Sequence, residues 1–373
     1  MKKSIPAALV AAAALTLAAC GSAPDEEPAD SGAQTGAEGS AEGGDNSDFL
    51  ACMVSDEGGW DDASFNESGY NGLMRAKDEL GISERDAEST DPGQYTGNVD
   101  AMVQAGCSLT IGVGFNLEDT IQAAAEDNPD MHFALIDSAF TDADFSPVTY
   151  DNAKPLLFNT QEAAFLAGYL AAGMTETGTV ATYGGQALPS VTIFMDGFVD
   201  GVAAYNDAHD ADVEALGWDK DAQDGSFTGD FSNTEAGYST SQQFIADGAD
   251  IILPVAGPVG AGSLRAASEN DGVSVIWVDS DGYEQPANDE FKDLILTSVM
   301  KGIANSVFDT IEASVNGEFT SDPYVGTLEN GGVSLAPYHD FEDEVPDELN
   351  SEIEDLQAQI IAGDLVVDSP SAN

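Results

Sequence analysis

Between residues 56 and 62 the chain reads DEGGWDD, four carboxylates around two glycines, and Phe65 and Asn66 follow closely. Clustered acids beside glycines suit a hard cation, a pair of catalytic carboxyls, or a solvated turn. A ring followed by an amide suits another task. The ring stacks on a flat ligand, and the amide hydrogen-bonds its edge. His132, His209 and His339 are the only histidines, and none stands in a context that marks a general acid.

These residues need elements to hold them. FLACMVS, from Phe49, is a short apolar run that reads as a buried strand. Tyr70, Leu73, Met74 and Leu80 then recur at helical spacing. Ser64 with Glu67 three residues on forms a capping-box pattern, which would place Phe65 and Asn66 in the first helical turn. The alternation continues through strands at CSLTIGVG, HFALID, TVATYGG, DVEALGWD, DIILPVAG and VSVIWVD. The helices between them include QEAAFLAGYLAAGM, SVTIFMDGFVDGVAAYN, one over about 233–247, and AGSLRAASEND. Strands alternating with helices predict βαβ units and parallel sheets. Two such runs, before and after about residue 158, predict a clamshell of two α/β lobes, each a parallel sheet flanked by helices. Ligands of such sheets bind at the carboxyl ends of the strands, here in the cleft between lobes. The expected division is 48–158 plus about 292–320 for the first lobe, and 159–291 plus about 321–373 for the second.

The N-terminus reads differently. Lys2 and Lys3 precede an alanine-rich apolar stretch that ends in LAAC, with Gly21 next. This is a secretory signal over residues 1–19, and it resembles the bacterial lipobox, which implies lipidation of Cys20. An ordinary signal peptide cleaved near Ala19 is the alternative. Residues 20–47 carry almost no apolar side chain larger than alanine and read as a disordered acidic tether. The whole chain of 373 residues has 68 Asp+Glu against 10 Lys+Arg, a net charge of −58. That charge excludes nucleic acid as a partner, since no basic footprint exists to displace counterions. It also points to a host that lives in salt, where self-repulsion is screened, or to one whose wall environment favours acidic surfaces.

In order along the chain, SFNESGYNGL, IGVGF, FALID, FLAGYLA, YGG, DGFVDG, GSFTGDFS, WVDSDGY and LTSVMK together resemble the basic membrane protein family of ABC-transporter substrate-binding lipoproteins, of the purine nucleoside receptor type. The resemblance runs from about residue 50 to 335. It implies a type I periplasmic-binding-protein-like clamshell. It also implies a lipid-anchored receptor on the extracytoplasmic face of the cell membrane, expected as a monomer, that captures a nucleoside and delivers it to an ABC permease. No catalysis, cofactor or metal is implied. In the family, the aromatic of the SFN segment stacks on a nucleobase and the amide hydrogen-bonds it, roles that fall here on Phe65 and Asn66. Asp56 matches a further ligand contact, and Phe227 of GSF matches the second stacking ring, with Phe231 as the alternative. Asp279 would hold ribose hydroxyls with Lys301 as counter-charge. Gly114, Phe115 and Asp281 are secondary candidates. Glu57, Asp61 and Asp62 are assigned to the general acidic surface.

The chemistry of a nucleoside is consistent with this set: two rings hold a flat base, and one carboxylate accepts from two vicinal hydroxyls. Other readings remain. Phe65 suits a core or staple position, and Lys301 a plain surface lysine. The cargo could be a sugar such as ribose, or the protein a surface sensor that shares the fold. The acidic loop resembles the calcium-binding D-x-D-x-x-x-D-D run of nucleoside hydrolases. Here, however, glycine stands at 58 and the final acid pair arrives one residue early.

Cys52 and Cys107 are an even pair in an exported chain. Both lie in or beside apolar strands of the first run. In the strand order 2-1-3-4-5 the first and third strands are neighbours, with ISERDAEST supplying the second on the other side. Their spacing then suits a disulfide; two inert buried thiols are the alternative.

Overall fold

The computed structural model describes residues 46–142, 144 and 146–372. The signal sequence, Cys20 and all but the last residues of the tether lie outside the described residues.

The first run forms β1 (Leu50–Val54), α1 (Phe65–Leu80), β2 (Ser83–Ala87), α2 (Tyr95–Ala105), β3 (Leu109–Val113), α3 (Glu118–Asp127), β4 (His132–Ile136) and β5 (Ala153–Phe158). The second forms α4 (Thr160–Met174), β6 (Thr179–Gly184), α5 (Pro189–His209), β7 (Glu214–Leu216), the small hairpin strands β8 (Trp218–Asp219) and β9 (Asp224–Gly225), α6 (Thr234–Ala246), β10 (Ile251–Val255), α7 (Gly260–Ser268), β11 (Ser274–Asp279) and β12 (Ile295–Lys301). Then follow α8 (Ile303–Val315), β13 (Tyr324–Gly326), β14 (Val333–Leu335) and α9 (Asp347–Ala362).

Two six-stranded sheets result, in the orders β13-β5-β4-β3-β1-β2 and β14-β12-β11-β10-β6-β7. Every pairing in them is parallel except β12 with β14. Central strands such as LTIGV in β3 are buried throughout, as expected where helices cover both faces of a parallel sheet. Each sheet begins with the order 2-1-3-4-5, so the lobes are built alike. The fold is the expected two-lobed, type I periplasmic-binding-protein-like clamshell.

The expected lobe boundaries need correction. β12 extends the second sheet, not the first, and β13 extends the first sheet, not the second. Of the 292–320 stretch, α8 and the residues after it join the first lobe: α8 packs on α1, where a Cβ on Gly72 would fall 2.5 Å from the Ala304 carbonyl, and Phe319 stacks on His132 of β4 at 4.0 Å. The chain therefore crosses between lobes after β5, after β12, and between β13 and β14. A strand of three residues carries no period that reveals its sheet, and a crossing is fixed only by long-range pairing.

The main hydrophobic cluster runs from Met53, Ile111 and Ile136 of the first sheet, through Leu166 and Phe198, to Leu253 and Val278 of the second. α4 and α5 approach closely because glycine stands at 168, 197 and 201, where any Cβ would strike the facing backbone. Cys52 of β1 and Cys107, which precedes β3, are joined by a disulfide with their Cα atoms 6.0 Å apart. β1 lies between β2 and β3, so this bridge ties the strand that leads into the acidic loop to its neighbour.

Candidate functional site

The acidic loop leaves the carboxyl end of β1 and enters α1 at Phe65. The capping box does not form: Ser64 is the N-cap residue, but its side chain makes no capping bond. Asp62 replaces it. Its Oδ1 accepts from the amides of Ser64 and Glu67, both at 3.0 Å. Its Oδ2 accepts from the Asn66 amide at 2.9 Å and from Asn66 Nδ2 at 3.1 Å. Asp62 is thus no surface acid, as its type and neighbours had suggested; it is buried, 5% exposed, and organises the loop. Burial pushes its pKa up, and these donors oppose the rise. Trp60 pins the other side of the loop, donating from Nε1 to Asp86 at 2.7 Å and from its amide to Glu88 at 2.8 Å. Of the remaining loop acids, Glu57 lines the cleft, whereas Asp61 is exposed.

The cleft encloses about 560 Å³ of empty space, open solvent at its mouth included. Asp56, Phe65, Asn66, Gly114, Phe115, Asp279 and Lys301 all line it. So do Asp137, Phe194 and Phe231, which the sequence reading did not select for the site or kept only as an alternative. Phe227 and Asp281 do not line it. Phe227 packs under β6, where a Cβ on Gly184 would lie 2.7 Å from its ring, and meets Trp218 edge-on at 6.0 Å. The half-buried ring that the second lobe offers to the cleft is Phe231, four residues on. Asp281 instead bonds His339 at 2.8 Å.

Asn66 lines the cleft beside two acids. The Asn66 amide nitrogen donates to Asp56 Oδ1 at 3.0 Å and to Asp62. Its Oδ1 is buried without a partner, although Asn66 is only 2% exposed. A buried acceptor left unpaired is costly, and the residue that carries it lines the cleft. Asp56 is held tightly: Gly114, at φ 100°, leaves room for its carboxylate where any Cβ would collide with it. Burial pushes the Asp56 pKa up to about 8. Asn66 opposes this rise, and the charges of Asp62, Glu57 and Asp137 add to it. Asp56 is therefore largely protonated at neutral pH, and so able to donate as well as accept.

A second group of cleft residues centres on Lys301. Lys301, 5% exposed, ends β12, donates to Asp137, and lies 3.6 Å from Asp279 Oδ1. Its ammonium also faces the rings of Phe194 at 4.7 Å and Phe65 at 5.4 Å. Burial raises the Asp137 pKa, and Lys301 counters it. Asp137 follows β4 and Asp279 ends β11, equivalent strands of the two sheets. Both residues are left-handed, at φ 67° and 68°, uncommon for a non-glycine residue. The signal for Asp137 was present in the sequence: FALID and IWVD each end a strand on an acid followed by serine. Among the described residues no group of three or more His, Cys, Asp or Glu side chains is placed to hold a metal ion.

Comparison with known proteins gives one family. The family described as "ABC transporter substrate-binding protein PnrA-like" matches residues 49–369. The chain is 28% identical over 339 residues to the "ABC transporter nucleoside-binding protein BmpA" of Lactococcus lactis subsp. cremoris, covering 87% of this chain and 90% of that one. It is 30% identical over 318 residues to "Basic membrane protein A" of Borreliella burgdorferi, covering 84% and 86%. Among solved structures, a solute-binding protein of an ABC transporter system from Aeropyrum pernix K1 superposes with a TM-score of 0.76 at 24% identity, over 86% of this chain and 94% of that one. A second, from Conexibacter woesei, gives 0.66 at 20% identity, over 87% and 100%.

Proposed function

The chain belongs to the PnrA-like family of ABC transporter substrate-binding proteins, and on that premise we propose that its cleft captures a purine nucleoside and presents it to a membrane permease. Members of this family bind a ligand and work with an ABC permease rather than convert a substrate. The observation that carries the nucleoside reading is the unpartnered, buried Oδ1 of Asn66, a residue that lines a cleft offering both aromatic rings and ionic groups. In this reading the base stacks between Phe65 and Phe231, offers a donor to Asn66 Oδ1, and accepts from or donates to Asp56. The ribose diol meets Asp279, with Lys301 and Asp137 completing the ionic group. The likeness to a relative named for nucleoside binding supports the same cargo.

Charge argues against nucleotides. Besides the largely protonated Asp56, the acids Glu57, Asp62, Asp137 and Asp279 line the cleft with Lys301 as its one cation, so a phosphate would meet acidic side chains on most sides. No helix of the described residues is long and apolar enough to cross a membrane. The membrane attachment proposed is therefore a lipid on Cys20, with the folded body on the extracytoplasmic face.

A thermal-shift screen over nucleosides, free bases, pentoses and nucleotides tests the reading. Nucleosides should raise the melting temperature most, and nucleotides least. Ribose alone giving an equal shift would favour a sugar receptor. Incubation with inosine should release no free base.

A further inference from the structure

The two lobes touch through a set of protein contacts beside the cleft. Ser64, at the entry to α1 in the first lobe, is fully buried and does not line the cleft. Its Oγ donates to Asp279 Oδ2 of the second lobe at 2.7 Å. The residue before it, Ala63, holds φ 54° and presents its carbonyl to the same strand end. Ser280 Oγ donates to that carbonyl at 3.1 Å and Trp277 Nε1 at 3.4 Å. All three bonds therefore run between Ala63–Ser64 and the end of β11.

Each carboxylate oxygen of Asp279 has its own neighbour: Oδ1 faces Lys301 at 3.6 Å, and Oδ2 accepts from Ser64. Lys301 and Asp279 belong to one sheet, so their relation survives any lobe motion. The bond from Ser64 does not. Parting the lobes breaks it, and Asp279 then loses the donor that sets the orientation of Oδ2. Ser64 is free for this task because Asp62 caps α1 in its place.

We propose that Ser64 is a positioning residue: it orients the Asp279 carboxylate across the lobe interface, so that lobe closure and recognition of the ligand's vicinal hydroxyls become one event. The second half of this statement rests on the nucleoside reading given above; the first half does not. Two sites linked this way share a coupling free energy, and the hinge motion between lobes carries it.

The test compares wild type with Ser64→Ala and Ser64→Thr. Small-angle scattering without ligand should give a larger radius of gyration for Ser64→Ala than for wild type, with Ser64→Thr close to wild type. Calorimetric titration should show Ser64→Ala losing about tenfold in its preference for a ribonucleoside over the 2′,3′-dideoxy analogue, the loss expected of one hydrogen bond to a charged group. Ser64→Thr should restore that preference. Unchanged scattering overturns the proposal, as does an affinity loss of the same factor for both ligands. If wild type itself binds both ligands equally, the ribose assignment fails, and the ligand-free scattering still decides whether Ser64 holds the lobes together.

Discussion

Lys301 donates to Asp137 across the two lobes, from the end of β12 in the second sheet to the residue after β4 in the first. Lys301 is buried beside two carboxylates in a chain with 10 cationic residues against 68 acidic ones. A buried ammonium is retained only where its partners return what desolvation removes. In this cleft it also offsets acids that would otherwise repel one another.

Removing that charge should therefore damage both the fold and the site. Lys301→Met is expected to lower stability by about 3–5 kcal/mol, the range for a broken buried pair, and to abolish ligand binding. The double variant Lys301→Met, Asp137→Asn should recover part of the stability and none of the binding. Chemical denaturation and calorimetry measure the two effects separately.

The three phenylalanines should divide by role. Phe65→Ala and Phe231→Ala are expected to weaken binding about tenfold or more, in keeping with roughly 1–3 kcal/mol per stacked base, with little change in melting temperature. Phe227→Ala should behave the opposite way. Its ring packs on Gly184 and Trp218, so stability should fall, by less than the roughly 3–5 kcal/mol of a fully buried ring, while binding changes little.

Asp56 predicts a pH dependence of definite sign. Its pKa is raised from 3.8 to about 8 in the folded protein. Between those values the folded chain keeps a proton that the unfolded chain releases. The stability this group contributes is thus greatest below the unfolded value and is lost as pH rises toward 8. Asp56→Asn removes that loss. Relative to wild type, the variant should be more stable at pH 8 than at pH 5, by at most about 4 kcal/mol from linkage. Unfolding curves at the two pH values give the difference directly.

The Cys52–Cys107 bridge closes a sequence separation of 55. Intact-mass analysis after alkylation without reductant should show neither cysteine modified. Reduction should destabilise the protein by roughly 4 kcal/mol, through the freedom regained by the unfolded chain.

Much of this architecture was legible from local pattern. The β1–α1 junction and the paired βαβ runs follow from strand and helix periods, and the 2-1-3-4-5 order is the one known for doubly wound folds of that kind. Asp56, Phe65, Asn66, Asp279 and Lys301 came from the family resemblance, and they lie at strand ends or helix starts, which such folds turn toward the cleft. What escaped depended on contacts across lobes. Ser64 and Glu67 matched a capping box, but Asp279, 215 residues away, takes the hydroxyl, and Asp62 caps the helix. GSFTGDFS offers two rings four residues apart, and spacing alone did not show that Phe227 turns under β6 while Phe231 faces the cleft. Asp281 sat near the right strand end but bonds His339, a partner from a distant segment.

The central claim is that a nucleoside lies between the lobes with its base at Phe65 and Asn66 and its ribose at Asp279 and Lys301. A crystal structure of the protein with inosine tests it most directly. The account predicts the purine between the rings of Phe65 and Phe231, a base N–H donating to Asn66 Oδ1, and the 2′- and 3′-hydroxyls on the Asp279 carboxylate. Density for the nucleoside outside this cleft, or the base at Asp279 with the ribose against Phe65, would contradict it.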